Sequence, residues 1–225
     1  MKKFFTLIAA VAMAASVNAQ VFTFDTEYSK GKVPASITSN GLVLTITDPE
    51  NKTSVDKNSQ YFGTADSYVK FDTRFKTGGK STSTKNYLAL TLPSDGTLKV
   101  YARTGSSSDN TRNIILTQGE TELVNKVLLE SEAVKVDMEI DGETVSKSVF
   151  PVISVAVKAG DVSITYPVNG VNIYGFELVG STNGISTISS VASAKSTATY
   201  NLAGQQVSDS YKGIVIQNGK KFLKK

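Results

Sequence analysis

Hydrophobic and polar residues alternate with period two along most of the chain. "VKFDTRFK" places Val69, Phe71, Thr73 and Phe75 on one side and Lys70, Asp72, Arg74 and Lys76 on the other. "YLALTL" groups Leu88, Leu90 and Leu92 opposite Tyr87, Ala89 and Thr91. "TLKVYAR" groups Leu98, Val100 and Ala102 opposite Lys99, Tyr101 and Arg103. "VKVDMEI" sets Val134, Val136, Met138 and Ile140 against Lys135, Asp137 and Glu139. Successive strand side chains point to opposite faces, so each run needs one buried and one wet face. Further strands are expected at 21–24, 41–47, 113–118, 149–158, 162–166 and 171–179. Turn clusters such as "SNG", "PSDG", "TGSSSDN", "KAGD" and "PVNG" separate them. Only "TELVNKVLLESEAVK", 121–135, has room for a helical turn. Short strands at near-regular spacing predict an all-β fold: an antiparallel, jelly-roll-like β-sandwich over 20–180.

Both ends break the pattern. "MKKFFTLIAAVAMAASVNAQ" joins a basic start, Lys2 and Lys3, to an apolar run and a small-residue site at 17–19. This is the layout of a secretory signal peptide, 1–19, with the mature chain starting at Gln20. No later apolar run is long enough to span a bilayer as a helix. Residues 181–199 are rich in Ser, Thr, Ala and Gly and read as a linker. Residues 200–225 read as a small β tail, with strand-like pieces around Leu202 and Val207 and on both sides of an Asn218-Gly219 turn.

Composition narrows the chemistry. The chain has no cysteine, so disulfides do not brace it and no lipidated Cys anchors it. It has no histidine, which removes Ser-His-Asp triads, Cys-His pairs and histidine-ligated zinc. Without Lys2 and Lys3 the 24 basic residues fall to 22, against 20 acidic ones. That near balance gives nucleic acid no support as a partner.

Three outward rows carry candidate binding chemistry: Lys70, Arg74 and Lys76; Lys85 and Tyr87; Lys99, Tyr101 and Arg103. Placed in one sheet they form a basic face with interleaved tyrosines. Tyrosine rings are flat platforms for sugar C–H faces, and arginine forks bind carboxylates in bidentate geometry. An acidic glycan held by Arg74, Tyr87, Tyr101 and Arg103 is the expectation, and an ordinary solvated face is the plainer account. The loop "ARTGSSSDNTR" adds Arg112 to this set, since loop tips on a rigid sheet commonly carry binding. Its plainer account is a flexible polar loop.

Catalysis gains less from the sequence. Glycosidases need two placed carboxylates, and Asp25, Glu27, Asp137 and Glu139 have no telling spacing. The chain is therefore expected not to be an enzyme, although a polysaccharide lyase working with Lys, Arg and Tyr stays open. No cofactor is expected. A structural calcium ion on Asp25, Glu27 and Glu177 stays open, beside the plainer account of unrelated surface acids. "TGGKS" at 77–81 is no phosphate-binding loop, because Arg74 stands where that motif needs its first glycine.

The tail resembles the C-terminal sorting domain of Bacteroidetes proteins exported by type IX secretion. Tyr200, Asn201, Leu202, Gly204, Gln205 and Val207 match its first part. Lys212, Gly213, Ile214, Val215, Ile216, Asn218, Gly219, Lys220 and Lys221 match its second. Gln206 stands where arginine is common, and the unit is shorter than the full sorting domain. The resemblance implies the secretion machinery as a partner and a secreted location, extracellular or on the outer-membrane surface. The body resembles, more loosely, β-sandwich modules found beside secreted polysaccharide-degrading enzymes, including pectate lyases. "YFGTADSYVKFDTRFKTGGKS", "VYARTGSSSDNTRNIIL" and "VFPVISVAVKAGDVSITYPVNGVNIYGFELV" carry that resemblance. It implies a non-catalytic, carbohydrate-binding module. The alternative is an adhesion or structural surface protein that binds another protein.

Overall fold

The computed structural model describes residues 19–180, 199–201, 206–208, 211–217 and 220–224. The chain divides into two compact units, Met1–Ser181 and Thr182–Lys225. The expected signal peptide and linker lie outside the described residues, except that Ala19 opens the first strand and Thr199 opens the first strand of the second unit.

The first unit is all β apart from one turn of 3-10 helix, Glu130–Glu132, among the described residues. Its strands are β1 (Ala19–Thr23), β2 (Ser36–Ser39), β3 (Leu42–Thr47), β4 (Ser54–Gly63), β5 (Tyr68–Lys76), β6 (Tyr87–Leu92) and β7 (Gly96–Thr104). They continue as β8 (Asn113–Gln118), β9 (Thr121–Val127), β10 (Val134–Ile140), β11 (Glu143–Phe150), β12 (Ile153–Val157), β13 (Gly160–Thr165) and β14 (Val171–Gly180). One sheet has the order β10-β11-β4-β5-β14-β7-β12, with β1 also on β14; the other is β2-β3-β6-β13-β8-β9. All pairs in both sheets are antiparallel except β11 with β4. The chain crosses between sheets from β5 to β6, β6 to β7 and β7 to β8, as in a jelly roll.

The alternating runs explain the core. Leu98, Val100, Phe176 and Leu178 meet Leu44, Leu88, Leu90, Ile114, Leu116, Val162 and Ile164 from the facing sheet, all fully buried. Burying each such side chain contributes about 1.5–3 kcal/mol. The single strand expected over 149–158 is divided at Pro151, which has no N–H to give a ladder. β11 and β12 consequently lie far apart in one sheet. The helical turn expected within 121–135 is the 3-10 turn.

One departure from a flat sandwich shapes the outer face of the larger sheet. β5 pairs with β14 only at Lys76–Asn172 and Phe75–Ile173; from Gly175 onward β1 takes that place. The β4–β5 ladder slips between Lys57 and Gln60, and the β14–β7 ladder slips between Ile173 and Gly175. Such irregularities bend a strand and redirect its side chains. The first half of β5, with β4, thus leans over the outer face of β7 and β14. There Phe62, Phe71, Tyr101, Phe150 and Tyr174 form a second hydrophobic cluster, with Phe71 and Tyr101 ring centroids 4.7 Å apart. Gly175 makes the approach possible, because a Cβ there would lie 2.6 Å from Phe71 Cε1 and 2.6 Å from the Phe22 carbonyl oxygen.

The second unit is a sheet ordered β16-β15-β17-β18, built from β15 (Thr199–Asn201), β16 (Gln206–Val207), β17 (Gly213–Gln217) and β18 (Lys220–Lys224). β17 and β18 form the expected hairpin, and its Asn218-Gly219 turn lies outside the described residues. Register puts Tyr200, Ile214, Ile216 and Leu223 on one face, all exposed, with Val215 buried on the other.

Candidate functional site

β11 and β4 stay paired for only two registers, Val149–Tyr61 and Phe150–Phe62. Toward their N-terminal ends the two strands part, bridged by Gln60 Nε2 donating to the Ser148 carbonyl at 3.3 Å. A cleft of about 500 Å³ opens between them and is closed on one side by Arg103 from β7. Four cations line it: Lys70, Arg103, Lys135 and Lys147. Glu130 is the one carboxylate among the lining residues. Ser59, Gln60, Ser146 and Ser148 supply hydroxyls and an amide, and Tyr61 and Phe150 supply aromatic surface.

Arg103 is held from several directions. Its Nε donates to Glu130 Oε1 at 3.1 Å, and one terminal nitrogen donates to Oε1 and Oε2, both at 2.8 Å. The other terminal nitrogen donates to Gln60 Oε1 at 2.8 Å, and the guanidinium carbon lies 4.5 Å from the Phe150 ring centroid. Lys135 Nζ donates to Ser148 Oγ at 2.9 Å. Lys70 Nζ lies 2.6 Å from Asp72 Oδ1, and that hydrogen bond holds the ammonium above its ordinary pKa. Lys147 has no ion pair among the described residues. On the far side of Arg103 and Phe150 lies a smaller cavity, about 180 Å³, lined by Val124, Leu128, Leu129 and Val152 beside Lys126 and Glu132.

The residues expected from the sequence do not share one face. Tyr87 stands on β6 in the six-stranded sheet, whereas Arg74, Tyr101 and Arg103 stand on β5 and β7 in the other. The reason is that the chain changes sheet on both sides of β6. The structure also corrects the exposure expected of Tyr101, which is only 3% exposed. Its strand parity is as expected, but the leaning β4–β5 segment covers the outer side of β7. Tyr101 Oη donates to Glu177 Oε2 at 2.5 Å; burial first, then Glu177, pushes the phenol pKa far up. Arg74 is half-buried and bidentate to Asp56, at 2.7 and 3.3 Å. Burial pushes the Asp56 carboxyl up, but Arg74 and Lys76 more than offset this and hold it below its ordinary value.

Arg112 is a clamp within its loop. Its Nε donates to Asp109 Oδ2 at 2.8 Å and a terminal nitrogen donates to the Gly170 carbonyl at 2.6 Å. Arg103 is thus the one expected site residue that lines the cleft. Sequence reasoning missed Gln60, Glu130 and Lys147. Nothing local marks them, because β4 does not alternate and the cleft gathers residues far apart in the chain.

The loop clamp carries a pH signature. The Arg112 hydrogen bond, then those from the Thr111 hydroxyl and N–H, hold the Asp109 carboxyl at about 2. A folded-state value below the unfolded one, about 3.9, means that the tether is complete above that unfolded value. It is lost as pH falls through about 2. An NMR titration of the Asp109 carboxyl is expected to show this low midpoint. Arg112→Ala is expected to move it toward the ordinary range, and an unmoved midpoint contradicts the clamp.

The acids considered for calcium have other partners. Asp25 accepts from the Thr23 hydroxyl, Glu27 pairs with Lys57, and Glu177 pairs with Lys99 and Tyr101. Among the described residues no group of three or more acidic side chains is placed to hold a metal ion. Among them, too, no helix is long and apolar enough to cross a membrane.

No family model matches the chain, and no curated protein sequence does. Among solved structures, one described as "The complexity of the Ruminococcus flavefaciens cellulosome reflects an expansion in glycan recognition" is similar in part. It shares 15% identity over 72% of this chain and 94% of its own, with a TM-score of 0.33. So low an overlap says nothing about what this chain binds.

Proposed function

We propose that the first unit is a non-catalytic module that binds an acidic glycan in the cleft between β4, β11 and Arg103. The observation that carries this reading is the lining of the cleft: four cations against one carboxylate, mixed with serine hydroxyls, an amide and two aromatic rings. Cations attract an anionic polymer, the hydroxyls and amide exchange hydrogen bonds with sugar hydroxyls, and rings take C–H faces. The proposed ligand set therefore keeps Arg103 and gains Lys135 and Lys147, while Arg74, Tyr87, Tyr101 and Arg112 lie outside this cleft.

Export is part of the same proposal and rests on the sequence at 1–19 and 200–225, which implies an extracellular or surface-displayed protein engaging the secretion machinery through its tail.

A glycan array with the mature chain, run beside an assay for unsaturated uronide release, tests this reading. Lys135→Ala/Lys147→Ala is expected to weaken binding of an acidic glycan roughly tenfold and to flatten its salt dependence, since exposed charges are screened over about 8 Å at physiological ionic strength. Affinity indifferent to both lysines would discard the cleft. Uronide release would make the protein a lyase.

A further inference from the structure

We propose that Arg103 exchanges partners on binding: the carboxylate of a uronic acid residue replaces Glu130 on the guanidinium. This deepens the reading above and rests on it. The free protein already presents Arg103 to a planar carboxylate, since both Glu130 oxygens accept from it. Arginine forks suit such a two-oxygen, planar acceptor.

Two features let Glu130 leave without disordering Arg103. The guanidinium keeps Gln60, from β4, on one edge and the Phe150 ring, from β11, on its face. Both supports come from strands, so the receptor stays oriented when the carboxylate changes. Glu130 stands instead on a three-residue 3-10 turn that buries no residue and has no side-chain hydrogen bond at its N-terminal cap. Glu132 in the same turn keeps its ion pair to Lys126, so the turn stays in place while the Glu130 side chain alone rotates away.

The charge around the cleft favours the exchange. An incoming carboxylate substitutes for Glu130 at Arg103 within a cleft whose lining also holds Lys70, Lys135 and Lys147, and Ser146 and Ser148 beside them for sugar hydroxyls. Glu130, partly exposed at 27% of its side chain, gains hydration as it moves into water, which offsets part of the lost ion pair; the desolvation cost falls on the incoming carboxylate. It acts as an internal competitor. Apparent affinity is then reduced by the small fraction of molecules in which Arg103 is free.

The test uses the mature chain and a panel of oligouronides built from glucuronate, galacturonate or mannuronate. A neutral oligosaccharide and a heparin-type sulfated oligosaccharide run beside them. Glu130→Gln keeps the size of the side chain and removes its charge, so a uronide is expected to bind roughly five- to tenfold tighter. The neutral oligosaccharide is expected to show no gain, and the sulfated one a smaller gain than the uronide. Addition of the uronide to the unsubstituted protein is expected to shift the Glu130 carboxyl carbon resonance. Should Glu130→Gln unfold, Glu130→Asp, whose shorter arm loses the bidentate contact but keeps the charge, is expected to give a smaller gain in the same direction. Equal or weaker uronide binding by these variants, or no oligouronide bound at all, overturns the exchange. A sulfated or neutral glycan that is lost in Lys135→Ala/Lys147→Ala but indifferent to Glu130→Gln overturns it too, and leaves glycan binding in the cleft standing.

Discussion

Tyr101→Ala is expected to destabilise the first unit by roughly 3–5 kcal/mol, the range for truncating a large buried aromatic side chain. The ring lies at the centre of the second cluster, 4.7 Å from Phe71 and 5.7 Å from Phe62 between ring centroids. Its removal leaves a cavity that the paired strands on either side have little freedom to close. Tyr101→Phe separates the ring from its hydroxyl. It keeps the packing and removes the hydrogen bond to Glu177, whose other oxygen stays beside Lys99 at 3.2 Å. Because Glu177 retains that charge partner, the cost is expected to be only about 1–2 kcal/mol. Denaturant unfolding measures both. Phe71→Ala combined with Tyr101→Ala is expected to cost less than the two single effects added, since the rings touch. An unchanged unfolding midpoint for Tyr101→Ala, together with weakened glycan binding, would restore Tyr101 to an exposed binding face.

The same residue shows how far the sequence could be read. Alternation along β7 was legible: Leu98, Val100 and Ala102 do face the main core, and Lys99, Tyr101 and Arg103 do face away from it. What alternation does not encode is a second layer beyond that outer face. The layer exists because β5 leaves β14 after Ile173 and because two ladders slip, at Lys57–Gln60 and Ile173–Gly175. Each slip interrupts period two at the point where the fold turns. β4, "SVDKNSQYFG", shows no clean alternation for that reason, and period two does not mark it as a strand. In β5 alternation marks the strand but not the destination of its side chains. Phe75 enters the main core whereas Phe71, on the same side of the same strand, enters the second cluster. The cleft is less legible still, since Gln60, Arg103, Glu130 and Lys147 meet only after β4 and β11 pair and part. Charged residues on an outward row mark a wet face, and only the packing around it tells a solvated row from a site.

Arg103→Ala is expected to have the largest effect on binding, lowering uronide affinity thirtyfold or more, about 2 kcal/mol by the relation between affinity and free energy. The substitution removes the only guanidinium lining the cleft and leaves Glu130 without its cation. Glu130 is free to swing into water, so the lost hydrogen bonds and cation–π contact of Arg103 are expected to cost folding stability only roughly 1–2 kcal/mol. Arg103→Lys restores the charge without the fork. A lysine makes a point contact with Glu130 and does not span both the carboxylate and Gln60, so stability is expected to recover more than affinity does. The decisive measurement is the double variant Arg103→Ala/Glu130→Gln. If Glu130 weakens binding by occupying Arg103, the gain from Glu130→Gln vanishes once Arg103 is gone, and the two effects are strongly non-additive. If Glu130 acts only as one more negative charge near the cleft, the gain persists in the double variant, because Lys70, Lys135 and Lys147 still draw the ligand in. Isothermal titration of a single oligouronide against the four proteins of this cycle separates a competitor on one guanidinium from the general charge of the cleft.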